Sequence, residues 1–547
     1  MSKAKNIKAT SKAALINKKG TSSPVNHEKK VGSSKKIKGK SKVANKPIAQ
    51  KVAPKKKVVR PKKKAFLKGL SQIRRHFYRN EENIYFFGAT NFNMLGADEW
   101  IKGFKYISLL ECFDGLEPNV FSPTTEIPHD QFESIEDINN YLLQHPEVQN
   151  YIKARAKGKK AGKAMFLMFN EKTEKLAKKL GLEVIFPSAK MRNFLDNKVN
   201  TNRIAEKAGV PCVPNVLQKV SNYKKLRAVS KHLGNDLVIQ TPYGDSGHTT
   251  FFISNEEEYN NHADEIEAEK EVKVMRRINC RGAALEACVT RHGTIVAPLM
   301  TELVGFDELT PYEGGWCGNE IYANAFTTDI REKTNKYAQL FGNQLREEGY
   351  VGYFELDFLL DQDNGEVYLG ELNPRVTGAS SITNHAVFAL ADAPLYLFHI
   401  LEYMNIDYNL KIDKLNKRWQ NQENIDGWSQ FVVKHTEDTV EYITAAPRSG
   451  IWHQYDNGHM EFSRMDTHRR AVESESEAFF LRIAAPGKYL YEGADMGILV
   501  TRGRMMTDDF KLTPRAKTLI QAIRSNYHTN IIEDKRSIPN FQASLAK

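Results

Sequence analysis

The chain has 547 residues, enough for about three or four domains of ordinary size. Hydrophobic residues make up 41% and charged residues 27%, a soluble globular balance that leaves ample apolar material for cores. The net charge of +13 is unevenly spread: residues 1–64 hold 22 Lys/Arg and one acid, Glu28, for +21, while the remaining 57 Lys/Arg and 65 acids give −8, which excludes a uniformly basic nucleic-acid binder.

The 1–64 segment is Lys, Ala, Ser, Val and Pro with no Phe, Tyr or Trp. It cannot bury enough apolar surface to offset its ordering entropy, so it is predicted to be a disordered tail. It lacks the apolar core of a secretory signal, and it uses Lys where transit peptides favour Arg. Order is expected from about Phe66. Asn83–Phe87 and Phe104–Leu110 read as strands, and Ser134–Leu143 as a helix with Ser134 as its cap. The run Ala164–Phe169, a helix over Glu171–Leu180 and a strand over Leu182–Phe186 continue the alternation of an open α/β layer.

The middle of the chain predicts a helix over Asn200–Ala208, stopped by Gly209 and Pro211, and a strand Leu237–Gln240 running into a glycine loop. Strands follow over Lys273–Ile278, Ala283–Thr290 and Thr294–Leu299, then a long helix, Asp329–Glu348. The most apolar stretch, Ala386–Met404, is broken by Asp392, Pro394, His399 and Glu402, so it reads as a buried helix and not a membrane span. After about residue 411 come short strands and a final helix, Pro514–Asn526. The five cysteines, Cys112, Cys212, Cys280, Cys288 and Cys317, are odd in number and never spaced C-x-x-C. That argues against a disulfide scaffold or zinc ribbon and for a reducing compartment, here the cytoplasm.

The richest chemistry lies in Val351–His385. Phe354–Leu360 and Glu366–Leu372 predict a hairpin around the turn Asp363-Asn364-Gly365. Centred on Asn364, it sets Asp357 opposite Glu371, and the two-residue period adds Glu355 and Asn373 to that face. Like charges facing each other need neutralising, and hard oxygen donors of this kind suit Mg²⁺, with Mn²⁺ as the alternative. Arg375 follows and can clamp phosphate or carboxylate. The bland alternative is an ordinary solvated hairpin face. A second element, VIQTPYGDSGHTTFFI over Val238–Ile253, takes a strand into Gly244 and Gly247 around Ser246, where backbone N–H groups can cradle phosphate. It lacks the G-K-[ST] ending of a Walker A loop, and its GDSG string has no accompanying protease His motif. A third, DNKVNTNRIAEKAGVPCVP from Asp196, puts Lys198 at the mouth of a helix.

In this order and spacing the three elements resemble the ATP-grasp superfamily over about residues 190–400, with DNK…AGVPCVP and ELNPR similar to biotin carboxylases and carbamoyl-phosphate synthases. The resemblance implies a mixed α/β and α+β chain. A pre-ATP-grasp α/β domain would span 65–190, an ATP-grasp domain 191–410 with its lid at about 205–275, and a C-terminal α+β domain 411–547. It further implies that Lys198 contacts the nucleotide phosphates, that Gly244, Ser246 and Gly247 belong to the lid loop, and that Met275 to Ile278 form the adenine hinge. Glu286 would line the nucleotide pocket, Asp357, Glu371 and Asn373 would hold Mg²⁺, and Arg375 would face an acyl phosphate. Two departures stand out. Gln240 occupies the place of a second phosphate-binding Lys, removing a positive charge. The T-R-x-Q-V-E-H run of biotin carboxylases, with its bicarbonate base, is replaced by PRVTGASS, and no biotinyl Met-Lys-Met is present. The expectation is therefore an ATP-dependent ligase joining a small carboxylate to an amine. A biotin-carboxylase-like enzyme using bicarbonate is one alternative. A nucleotide-binding scaffold tethered by the basic tail to a polyanion, such as nucleic acid or an anionic surface, is the other.

Overall fold

Five parallel strands form the first layer of the computed structural model, which describes residues 66–125, 131–244, 249–404 and 406–533. The predicted 1–64 tail and the loop residues Ser246 and Gly247 lie outside the described residues. The strand order is Val120–Phe121, Phe104–Ser108, Ile84–Gly88, Gly162–Phe166, Leu182–Val184. The central strand Ile84–Gly88 is buried along its whole length, as a parallel sheet covered on both faces requires. Helix Ile135–Gln144 starts where Ser134 accepts a hydrogen bond from the Asp137 backbone N–H, and Glu171–Lys179 begins with a capping box on Asn170.

Residues 215–276 build a small four-stranded antiparallel sheet, ordered Asn215–Gln218, Val272–Arg276, Leu237–Gln240, Thr250–Ile253. One face packs on helices Tyr223–Val229, Glu256–Asn261 and Ala263–Ala268 through Leu226, Tyr259, Ile266, Val272 and Val274.

The backbone of the molecule is an eleven-stranded antiparallel sheet. It runs from the hairpin Gly352–Asp361/Val367–Asn373 through Cys280–Thr290, Met300–Val304 and Trp316–Ile321. It then continues without a break into Trp428–Lys434, Asp495–Arg502, Glu477–Arg482, Gly450–Gln454 and Met460–Arg464. The strands after residue 411 thus extend the same sheet that carries the acidic hairpin. One face of the hairpin end is covered by helix Thr328–Glu347, whose Ala338, Phe341 and Leu345 recur at helical spacing and meet Phe354, Leu356, Phe358 and Leu372. The predicted Ala386–Met404 helix is two, Val387–Ala391 and Leu395–Tyr403, because Pro394 cannot continue the first. Residues 395–401 are all buried, and no helix among the described residues is long and apolar enough to cross a membrane.

Candidate active site

Four carboxylates and three cations gather where the small sheet faces the acidic hairpin. Glu355 pairs with Asn373 and Asp357 with Glu371, so all four share one face. That register depends on a bulge. From Leu360↔Val367 to Phe358↔Leu369 the hairpin pairs half a residue off the Asn364 centre, and the extra residue Gly370 restores the facing pair at Asp357 and Glu371. A Cβ at Gly370 would sit 3.1 Å from the Asp357 carbonyl oxygen and 3.3 Å from Leu359 Cγ, so the bulge leaves little room for a side chain.

The Asn373 amide donates to Asp357 Oδ2 at 3.0 Å and leaves its own oxygen free of that bond. Burial, reinforced by Glu355, Glu302 and Glu371, raises the Asp357 carboxyl well above the usual range, and Glu355 rises for the same reasons through Glu286 and Glu302. Glu302, on strand Met300–Val304, joins the acids from the next part of the sheet and is pushed up to about 7 by burial and by Glu371. Its carboxylate lies over Gly282, where a Cβ would come within 2.5 Å of Oε2.

Lys198 enters from helix Lys198–Ala208. Asn197 caps that helix by accepting from the N–H groups of Val199 and Asn200 at 3.0 and 3.1 Å. A lysine in the first turn opposes the helix dipole. Its ammonium is nonetheless buried, bonded to the Gly244 carbonyl at 2.7 Å and to Glu371 Oε1 at 3.1 Å. Arg375 acts electrostatically on Glu355, Asp357 and Asp196, and its Nε has no hydrogen-bond partner among the described residues. Gln240 donates to Thr250 Oγ1 at 3.3 Å, while its buried Oε1 is unpartnered among the described residues.

Met275 and Ile278 lie with Val213, Val238, Leu359 and Tyr368 in an apolar seam between the small sheet and the hairpin, next to the charged end. Glu286 shares the acidic face, opposite Glu355, but is fully enclosed. It accepts hydrogen bonds from Ser380 Oγ at 2.5 Å, Thr377 Oγ1 at 3.2 Å and the Tyr353 hydroxyl, and burial lifts it to about 7 against those bonds. Its place is beneath the segment after Arg375, which it holds down. Gln430 adds a bond to the Gly378 carbonyl at 2.8 Å and Asn93 one to the Thr377 carbonyl at 2.8 Å.

Two residues of the site, Glu302 and Lys273, are not marked by any motif in the sequence. The signal for Lys273 was a lone charge in the apolar strand V-K-V-M, in step with Met275. Glu302 carried none beyond its place in the strand M-T-E-L-V. Elsewhere, Asp98, Glu117 and His468 bring ligand atoms within 4.8 Å of one another. Their oxygens are engaged, Asp98 by Tyr106 and Asn119 and Glu117 by the Asn119 N–H, so this cluster reads as a structural tie.

No family model matches the chain. The chain is similar to the biotin carboxylase of Haemophilus influenzae, 25% identical over 227 residues, which are 40% of this chain and 48% of that protein. It thus spans about half the length of the curated relative it matches. Among solved structures it resembles the biotin carboxylase of Campylobacter jejuni in its β,γ-ATP complex (TM-score 0.55, 13% identity, 84% of this chain and 96% of that one). It also resembles the biotin carboxylase domain of the 2-oxoglutarate carboxylase of Hydrogenobacter thermophilus, solved with MgADP, ADP and bicarbonate (TM-score 0.53, 13% identity, 83% and 92%). The fold is that of the ATP-grasp enzymes. The likeness to both biotin carboxylase structures extends over more than four fifths of the chain.

Proposed function

We propose that the chain is an ATP- and Mg²⁺-dependent ligase that activates a carboxylate and couples it to an amine, releasing ADP and phosphate. The observation that carries this reading is the facing pair Asp357 and Glu371, bracketed by Asn373, Lys198 and Arg375. Opposed carboxylates, with the Asp357 carboxyl raised by burial and its acidic neighbours, are an arrangement that a bound cation would relieve. The oxygen donors of Asp357, Glu371 and Asn373 fit Mg²⁺, or Mn²⁺ in its place, which would neutralise phosphate charge when bound.

In this reading the apolar seam of Val238, Met275, Ile278 and Leu359 takes the adenine. Lys198, held by Gly244 and Glu371, meets the phosphates, and Arg375 orients the acyl phosphate formed when the substrate carboxylate attacks the terminal phosphorus. The amine then displaces phosphate at the acyl carbon, losing its proton. The side chains contribute positioning and electrostatic stabilisation. Glu286 keeps the Thr377–Ser380 segment in place beside Arg375. A cytoplasmic location is part of the proposal and is supported by the free cysteines. So is a polyanion as partner of the basic tail, supported by its +21 charge.

An ADP-release screen with pooled amino acids and small carboxylates, read out by mass spectrometry of the products, identifies the substrates. Glu371→Gln is expected to abolish ADP formation with the fold intact; near-normal turnover in that variant would sink the assignment. Similarity to biotin carboxylases favours one competing reading, carboxylation with bicarbonate. Bicarbonate-dependent ADP release in the presence of free biotin would establish it.

A further inference from the structure

Lys273 is 2% exposed, in the middle of strand Val272–Arg276. Its neighbours Val272 and Val274 point into the core of the small sheet, so Lys273 points the other way, with Met275, toward the acidic hairpin. Directly across the strand pair stands Gln240. Glu371 and Lys198 both act on the ammonium electrostatically, which places it at the charged end of the cleft. No described carboxylate lies within ion-pair distance of it. The Cys212 thiol also acts on it, but burial raises that thiol's pKa, so it remains protonated and supplies no counter-charge.

A buried ammonium without an anion is costly, by several kcal/mol in general. Burial depresses its pKa accordingly. The chain therefore holds a buried lysine without an ion-pair partner among the described residues, facing the same space as Lys198. A nucleotide polyphosphate would supply the missing charge.

We infer that Lys273 is a phosphate-binding residue of the nucleotide site, carrying on one strand the positive charge that Gln240 lacks on its neighbour. The inference rests on the nucleotide reading above and deepens it. Because the two positions are cross-strand partners, their side chains lie side by side, and a charge moved from one to the other stays within reach of the same phosphate.

The test uses the full chain and calorimetric binding of MgATP and of adenosine. Lys273→Gln should weaken MgATP binding roughly tenfold or more, the loss of one charge-assisted contact, and leave adenosine binding unchanged. The double variant Lys273→Gln/Gln240→Lys should recover most of the lost affinity. Lys273→Met, which keeps the apolar stem, guards against a packing effect and should match Lys273→Gln. If the unaltered chain binds MgATP and Lys273→Gln binds it equally well, the inference is overturned while the nucleotide reading stands. If Lys273→Gln also loses adenosine, or the double variant recovers nothing, Lys273 is structural and the inference fails. If the unaltered chain binds no MgATP, both fail together.

Discussion

One imidazole joins the acidic strand to the first domain. His399 accepts from the Tyr353 backbone N–H at 3.0 Å on Nδ1 and donates from Nε2 to the Ile185 carbonyl at 2.7 Å. Both bonds require the neutral ring, and burial lowers its pKa to about 3. The unfolded ring takes a proton near pH 6.5 and the folded one does not, so this contribution to stability is present above about pH 6.5 and is lost as pH falls toward 3. The limiting slope is about 1.4 kcal/mol per pH unit for one such group. Buried His385, held low by burial and by Arg469 and His468, acts with the same sign. Urea unfolding at pH 7.5, 6.5 and 5.5 should show stability falling over the lower interval, less steeply in His399→Gln. An amide can copy both hydrogen bonds without titrating. Equal slopes in the two proteins would mean that His399 is not the group responsible.

The acidic hairpin shows how a single residue sets the chemistry of a whole element. Deleting Gly370 would remove the bulge and leave Glu371 next to Leu369, still opposite Asp357 but without the local twist that the bulge adds. We expect this deletion to lower metal-dependent ADP release without abolishing it and to keep a cooperative melt, both read on the same sample. Gly370→Ala, whose Cβ would sit 3.1 Å from the Asp357 carbonyl and 3.3 Å from Leu359 Cγ, should cost about 1 kcal/mol of stability and leave turnover measurable. Complete loss of activity in a folded deletion variant would show that the bulge itself, and not the facing register alone, positions Glu371. This hairpin also marks the reach of the sequence. The spacing of Asp357 and Glu371 about Asn364 set the two acids opposite each other, but it contained no sign that the turn is off centre and that a bulge compensates. The helix capped by Ser134 was legible from that cap, and those over Glu171–Lys179 and Lys198–Ala208 were legible in their extent because such signals are local, although the Asn170 and Asn197 caps were not read. The partnership of Trp316–Ile321 with Trp428–Lys434 was not, since pairing between strands more than a hundred residues apart leaves no local pattern. Lys273 and Glu302 reach the site through strand pairings too, with Gln240 and with Asn319, which the sequence of either strand alone does not reveal.

At the scale of the molecule, the strongest asymmetry is electrostatic. Residues 1–64 carry +21 and the rest of the chain −8. If the tail binds polyanions, its affinity must fall steeply with salt, by about 10³-fold between 50 and 200 mM when about six phosphates are neutralised. A chain lacking residues 1–64 should bind DNA far more weakly and release ADP at an unchanged rate. DNA binding of equal strength in the truncated chain would transfer the role to the basic cluster Lys153, Arg155, Lys157, Lys159, Lys160 and Lys163. The continuous eleven-stranded sheet leads to a different expectation for cuts within the body. A chain ended near residue 410 would leave Trp316–Ile321 as a raw edge without Trp428–Lys434. Expressed alone, residues 66–410 should aggregate, a behaviour that light scattering would detect.

The first described strand, Phe66–Lys68, pairs in parallel with Asp407–Asn409 and with no other strand among the described residues. During synthesis it therefore waits for a partner some 340 residues away, about half a minute at ribosomal speeds of roughly 5–20 residues per second. The helix that follows it, Gly69–Tyr78, shares that delay, with Ile73 and Phe77 lacking part of their cover in the meantime. Nascent chains of this protein should accordingly need a holding chaperone at their leading end until the strand at 407 emerges.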